Sequence, residues 1–264
     1  MDLGIAGRTA IVCASSKGLG KGCAAALAEA GCRVIINGRD PGSLEVTRAE
    51  LAARADLAGL GGEVIGVAAD VGTAEGRAAL LAAAGTLDIL VNNNAGPPFR
   101  DFREISDEAM LAGVNANMLT PIALVRAVID GMAERGFGRI VNITSSSVKA
   151  PLAGLDLSSG ARAGLTAFVA GIARTVADRN VTINSILPGS FDTDRLRGGF
   201  ERTARSEGID IETARHRSAA RIPAKRFGTP EEFGALCAFL CSAQASYITG
   251  QSILIDGGLV NSTF

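Results

Sequence analysis

Short apolar runs rich in β-branched residues alternate with longer stretches rich in Ala and Leu along almost the whole chain. The runs Thr9–Ala14, Arg33–Asn37, Val64–Ala68, Ile89–Asn92, Arg139–Thr144, Thr182–Leu187 and Ser252–Ile255 are nearly uniformly apolar rather than alternating. Strands of that kind are buried on both faces, as in a parallel sheet. Between them the pattern predicts helices, among them Gly20–Ala30, Gly72–Ala84, Asp107–Arg135, Ser159–Arg179 and Pro230–Cys241. Strand–helix alternation implies βαβ crossovers. The expected fold is α/β, a doubly wound parallel sheet of about seven strands with helices on both faces, one domain over residues 1–264. Only residues 190–225, rich in Arg and Glu, lose the alternation. They follow a strand end, where ligands bind in such sheets, so they are read as a lid over the substrate.

Composition narrows the class. Apolar residues make up 47% of the 264, enough for a core on both sheet faces, and the net charge of −1 gives no footprint for nucleic acid or an anionic membrane. No uninterrupted apolar run reaches the roughly 18 residues of a membrane span, and the acidic start Met1-Asp2-Leu3-Gly4 does not read as a secretory signal. A cytoplasmic protein is expected. The five cysteines are an odd number, which argues against a disulfide framework. Cys237 and Cys241 lie four apart on an expected helix, but nothing nearby completes a tetrahedral metal set. No metal is expected, and the thiols are read as small buried side chains.

Chemistry enters at the first strand. Ile11-Val12-Cys13-Ala14-Ser15-Ser16-Lys17-Gly18-Leu19-Gly20 runs from strand through a tight turn into a helix. Glycines there let backbone approach a pyrophosphate, and the helix N-terminus favours the negative charge. This segment resembles the Gly-rich turn of the short-chain dehydrogenase/reductase family, with Cys13 and Ala14 standing where that family has Thr and its first Gly. The resemblance runs over nearly the whole chain. Val91-Asn92-Asn93-Asn94-Ala95-Gly96 is similar to the family's Asn-Asn-Ala-Gly element, with one Asn extra, and Asp70-Val71 to the pair at the adenine. Pro188-Gly189 through Thr193 is similar to the segment beside the nicotinamide, and Arg226–Glu232 with Tyr247–Gly258 to the C-terminal signature. The resemblance implies a Rossmann-like fold and a nicotinamide cofactor held by Ser15, Ser16, Lys17, Gly18, Leu19, Gly20, Arg39, Asp70, Val71, Asn93, Ala95, Arg162, Pro188, Gly189 and Thr193. Gly38 and Arg39 stand where an NAD enzyme places an acid, and Lys17 lies in the turn. Two cations at that corner suit a 2′-phosphate, so NADP(H) is favoured over NAD(H).

The reaction centre departs from the family. Ser145 matches its Ser and Asn115 its helix Asn, but thirteen residues beyond Ser145 stands Ser158 in place of Tyr, and four further Arg162 in place of Lys. A Ser hydroxyl is far less acidic than a phenol, and Arg stays protonated. The spacing nevertheless keeps one hydroxyl and one cation on one helical face. Tyr247 belongs to the C-terminal signature, and His216 lies in the expected lid as a candidate proton source. Pro97, Pro98, Phe99, Leu152, Leu155 and Phe191 are read as pocket walls, hence an apolar small-molecule substrate. The leading reading is an NADP(H)-dependent oxidoreductase acting on a carbonyl or alcohol through Asn115, Ser145, Ser158 and Arg162. A cofactor-binding pseudoenzyme or sensor, and a non-redox enzyme resembling the halohydrin dehalogenases, stand beside it. The family resemblance also implies a homo-oligomer, tetramer or dimer, built on the helices 107–135 and 159–179.

Overall fold

The computed structural model describes residues 2–262. Seven parallel strands form one sheet: β1 Thr9–Val12, β2 Arg33–Gly38, β3 Glu63–Ala68, β4 Ile89–Asn92, β5 Gly138–Ile143, β6 Val181–Pro188 and β7 Ser252–Ile255. Their order is β3-β2-β1-β4-β5-β6-β7. The chain therefore winds outward in one direction from β1 and then in the other from β4. The crevice at that reversal is where doubly wound sheets bind ligands.

Period-two alternation sorts each strand between two cores. Ala10, Val12, Val34, Ile36, Ile89 and Val91 meet the helices α1 Gly18–Glu29, α2 Pro41–Ala58 and α9 Pro230–Cys241 on one face. Ile11, Ile35, Leu90, Ile140 and Ile183 meet α3 Ala74–Ala84, α5 Thr120–Glu134 and α6 Asp156–Ala173 on the other. All five cysteines are buried in these layers as free thiols. Burial pushes the Cys13 thiol up to about 12.

The expected helix 107–135 has three parts: α4 Asp107–Val114, a π-turn over Asn115–Leu119, and α5. The whole run Asp107–Glu134 is long and apolar enough to cross a membrane by length and hydropathy. Here Ile122, Leu124, Val125, Val128 and Met132 pack it against the sheet instead. Residues 190–225 fold as two helices, α7 Asp194–Glu207 and α8 Ile211–Ala220. They have a small core of their own, in which Phe200, Ala204, Ala214, Ile222 and Phe227 come together.

Candidate active site and dinucleotide cleft

The loop after β1 is held in shape by side chains reaching in from its neighbours. Ala14 sits at φ +46°, left-handed backbone that an L-residue enters reluctantly. Asn37 Oδ1 accepts from its N–H at 3.3 Å and Asn93 Nδ2 donates to its carbonyl at 3.1 Å. Asn37 also donates to the carbonyls of Val67 and Ala69, tying the turn to the ends of β2 and β3. Ser15 Oγ accepts from the Asn37 amide and donates to the Val12 carbonyl, so it braces the loop from within. A Cβ on Gly20 would lie 2.5 Å from the Ala14 carbonyl, which is why only glycine lets α1 start this close. Sequence reasoning did not find Asn37, whose role depends on strands distant in the chain.

This geometry fits a dinucleotide phosphate. Gly18 and Leu19 open α1, Lys17 is its N-cap residue, and no side chain caps the helix, leaving its first amides to an anion. Thr193, just before α7, stands over Gly18, 3.6 Å from where a Cβ on that glycine would lie. Lys17, Gly18 and Thr193 face a cavity of about 280 Å³ between α1 and the start of α7, which Glu50, Asp192, Asp194 and Glu231 also line. Arg39 is exposed and free of ion pairs among the described residues, whereas its neighbour Asp40 caps α2 by accepting from the Ser43 amide at 2.8 Å. At Arg39 the corner thus offers a cation whose neighbouring carboxylate is already engaged in a helix cap. Asp70 is exposed in a turn closed by the Gly72 amide, and Val71 is buried beneath it. Pro188 and Gly189 end β6, where Gly189 packs on Asp256 too closely for a side chain.

The reaction centre lies at the ends of β4 and β5. Ser145 Oγ accepts from the Ser147 amide at 3.1 Å and is 2.8 Å from Ser147 Oγ. Ser158 is buried on α6, and its Oγ accepts from Arg162 Nε at 3.2 Å. Arg162 is 7% exposed and donates through Nη1 to the carbonyls of Ile143 and Thr144 at 2.8 and 3.0 Å. One guanidinium therefore links Ser158 to the strand end that carries Ser145. No carboxylate pairs with it among the described residues. Burial, with the charge of Arg195 adding to it, brings its pKa down to about 10.

A cleft of about 250 Å³ opens beside these groups, lined by Gly96, Pro97, Pro98, Leu155, Asn117 and Ser158 among others. Four expectations are corrected here. Asn115 is exposed, and Asn117 is the asparagine that lines the cleft, 3% exposed within the π-turn. Two residues along a helix lie on nearly opposite faces, so the pair Asn-Ala-Asn hid the right one. Phe191 is no wall: it is 6% exposed in the core, edge-on to Phe233 at 5.3 Å. Phe99 and Leu152 stay exposed outside the lining, with the Phe99 ring against Gly154. His216, the candidate proton source, is exposed on α8 and is not among the residues lining the cleft. Asn94, whose Nδ2 donates to the Ala116 carbonyl at 3.2 Å, ties the strand end to the π-turn. The insertion of one Asn had left its role open.

The family profile described as "Enoyl-(Acyl carrier protein) reductase" matches residues 13–260. The NADPH-dependent reductase BacG of Bacillus subtilis is 34% identical over 259 residues, 97% of this chain and 98% of that protein. The 3-oxoacyl-(acyl-carrier-protein) reductase FabG of Vibrio cholerae is 32% identical, covering 97% and 99%. Among solved structures, L-sorbose reductase from Gluconobacter frateurii, complexed with NADPH and L-sorbose, superimposes with a TM-score of 0.91 at 29% identity, covering 99% of this chain and 100% of that one.

Proposed function

Because the chain belongs to the short-chain dehydrogenase/reductase family, we propose that it is an NADP(H)-dependent oxidoreductase that reduces a carbonyl, or oxidises the matching alcohol, with Ser145, Ser158 and Arg162 at its centre. The observation that carries this reading is the polarity of the two hydroxyls. Ser145 Oγ accepts from a backbone amide and Ser158 Oγ, which lines the cleft, accepts from a guanidinium, so each keeps its own proton to donate. Two donors aimed at one oxygen are what a developing alkoxide needs. Arg162 stays a cation at neutral pH, and the downward shift makes its N–H a stronger donor to Ser158. When bound, the dinucleotide supplies the hydride. Ser158 passes its proton to the carbonyl oxygen, and Arg162 stabilises the charge left on Oγ. Asn117 holds the π-turn against the cleft through its bond to the Gly113 carbonyl. Lys17 and Arg39 support the 2′-phosphate, and the NADPH-dependent relatives support the same choice.

The test is calorimetric titration with NADPH and NADH, followed by NADPH oxidation against a panel of ketones. Expected are tighter binding of NADPH and a fall in kcat of about 10²–10⁴-fold in Ser158→Ala, with NADPH affinity unchanged. Loss of all dinucleotide binding, or activity that appears only when Ser158→Tyr is combined with Arg162→Lys, would overturn the reading. The second result would leave a cofactor-binding pseudoenzyme.

A further inference from the structure

The cleft is apolar in its walls and cationic at its inner end and mouth. Arg100 is among its lining residues, and no Asp or Glu is. Arg162 lies behind the cleft-lining Ser158, to which its Nε donates, and among the described residues its Nη2 makes no hydrogen bond to protein, nor is it among the sealed polar atoms left unpartnered. A second guanidinium comes from the lid. Arg195 Nη2 donates to the Pro97 carbonyl at 3.3 Å, and a Cβ on Gly96 would lie 2.5 Å from its Nη1. Gly96 and Pro97 both line the cleft.

The bond from Arg195 to the Pro97 carbonyl needs a donor there but not a charge. Arg195 is the second residue of α7, where the positive end of the helix dipole disfavours a cation. Its neighbours do not neutralise it. Asp192 pairs with Arg197 and Arg215 at 3.1 and 3.5 Å, and Asp194 with Arg197 at 3.6 Å. Arg195 makes no ion pair among the described residues, while its charge bears on the buried Arg162. Two like charges thus touch the cleft's lining, one behind Ser158 and one against Gly96 and Pro97, with no carboxylate paired to either among the described residues, and an anion between them removes that repulsion.

We propose that the cleft takes an oxo acid: an apolar body, a carbonyl at Ser145 and Ser158, and a carboxylate held between Arg162 and Arg195. This rests on the reductase reading for the role of the carbonyl. Because Arg162 Nε lies 3.2 Å from Ser158 Oγ, the carboxylate belongs within a few bonds of the carbonyl carbon. The reaction balances as oxo acid plus NADPH plus one proton giving hydroxy acid plus NADP⁺. The competing source of an anion is the pyrophosphate of the dinucleotide.

The probes are 3-oxobutanoate and its methyl ester, with the wild type and Arg195→Gln, a substitution on an exposed helix turn that leaves the fold intact. Expected is a KM about tenfold lower for the acid than for the ester, the size of one charge-assisted hydrogen bond. In Arg195→Gln that preference should disappear while ester KM and NADPH affinity stay put. Equal handling of acid and ester by the wild type overturns the proposal. So does a variant that loses NADPH affinity and keeps the preference, since Arg195 then serves the pyrophosphate. Should neither probe oxidise NADPH, calorimetric titration of the NADP⁺-loaded protein with 3-oxobutanoate separates the two ideas. Binding that Arg195→Gln abolishes upholds the anion site and sinks the reductase reading; absence of binding sinks the site.

Discussion

Ala14 holds left-handed backbone in the tightest turn of the protein, pinned there by Asn37 and Asn93. An L-residue in that region costs about 1–2 kcal/mol, of which glycine would return all but its greater entropy in the unfolded chain, about 0.5–1 kcal/mol. Ala14→Gly should therefore stabilise the protein by up to about 1 kcal/mol and raise Tm by roughly 2–4 °C, without loss of NADPH binding. A lowered Tm in a thermal scan would mean that the alanine methyl makes packing contacts worth more than the strain. What local pattern fixes was legible in the sequence: Ser158 and Arg162, four apart on α6, are in hydrogen-bond contact, and the glycine turn opens α1. Side chains fixed by tertiary reach were not. Asn37 acts across three strands, and Arg195 reaches from the lid to Pro97, 98 positions away in the chain. Asn117 was hidden by a π-turn, which shifts helical phase in a way that period counting does not register.

At the scale of elements, α1 carries the dinucleotide site and α9 sets where α1 lies. The helices cross so closely that a Cβ on Gly22 would fall 2.1 Å from the Pro230 carbonyl, and one on Gly234 2.2 Å from the Gly22 carbonyl. The start of α9 is fixed by a reciprocal cap between Thr229 and Glu232. Glu232 also takes two hydrogen bonds from Arg226, at 2.8 and 2.6 Å. The Arg226 guanidinium, with the Thr229 amide adding to it, holds the Glu232 carboxyl down at about 2. Its folded pKa is depressed, so its contribution is complete above the ordinary carboxylate range and is lost as pH falls from 4.5 toward 2. The group is part-exposed and screened, which keeps the contribution to roughly 1 kcal/mol. Urea unfolding of wild type and Glu232→Gln should differ by that amount at pH 7 and converge at about pH 2–3. A gap that persists in acid would show that the cap works through shape rather than charge. The strands were legible because two-sided burial writes a continuous apolar run. The segment 190–225 was legible only as a break in the alternation, since Phe200, Ala214 and Phe227 form a core too small to leave a periodic signature.

At the scale of the whole molecule, the outer face of α6 is at odds with its surroundings. From Leu157 to Ala173 the helix contains one charged residue, Arg162, and that one is buried. What it presents to solvent is Gly160, Ala167, Phe168 and Gly171, with Phe168 43% exposed. Met110, Leu111 and Leu119, on the neighbouring helix run, are 44%, 71% and 49% exposed. A lone exposed apolar residue needs no explanation, but a charge-free helix face beside three more large apolar side chains is the kind of patch on which the expected homo-oligomer would be built. Small residues let a second helix approach closely, and a copy of α6 meeting its own face across a two-fold axis would bury Phe168 in both copies. The same helix bears Ser158 and Arg162, so association would also stiffen the element that positions them. Phe168→Glu places a charge at the centre of this face. Light scattering at micromolar concentration should give a dimer or tetramer of the 26.9 kDa chain for the wild type and a smaller species for the variant. If the wild type is already a monomer of 26.9 kDa, the face is covered by something other than a copy of itself, and α6 must hold its reaction groups unaided.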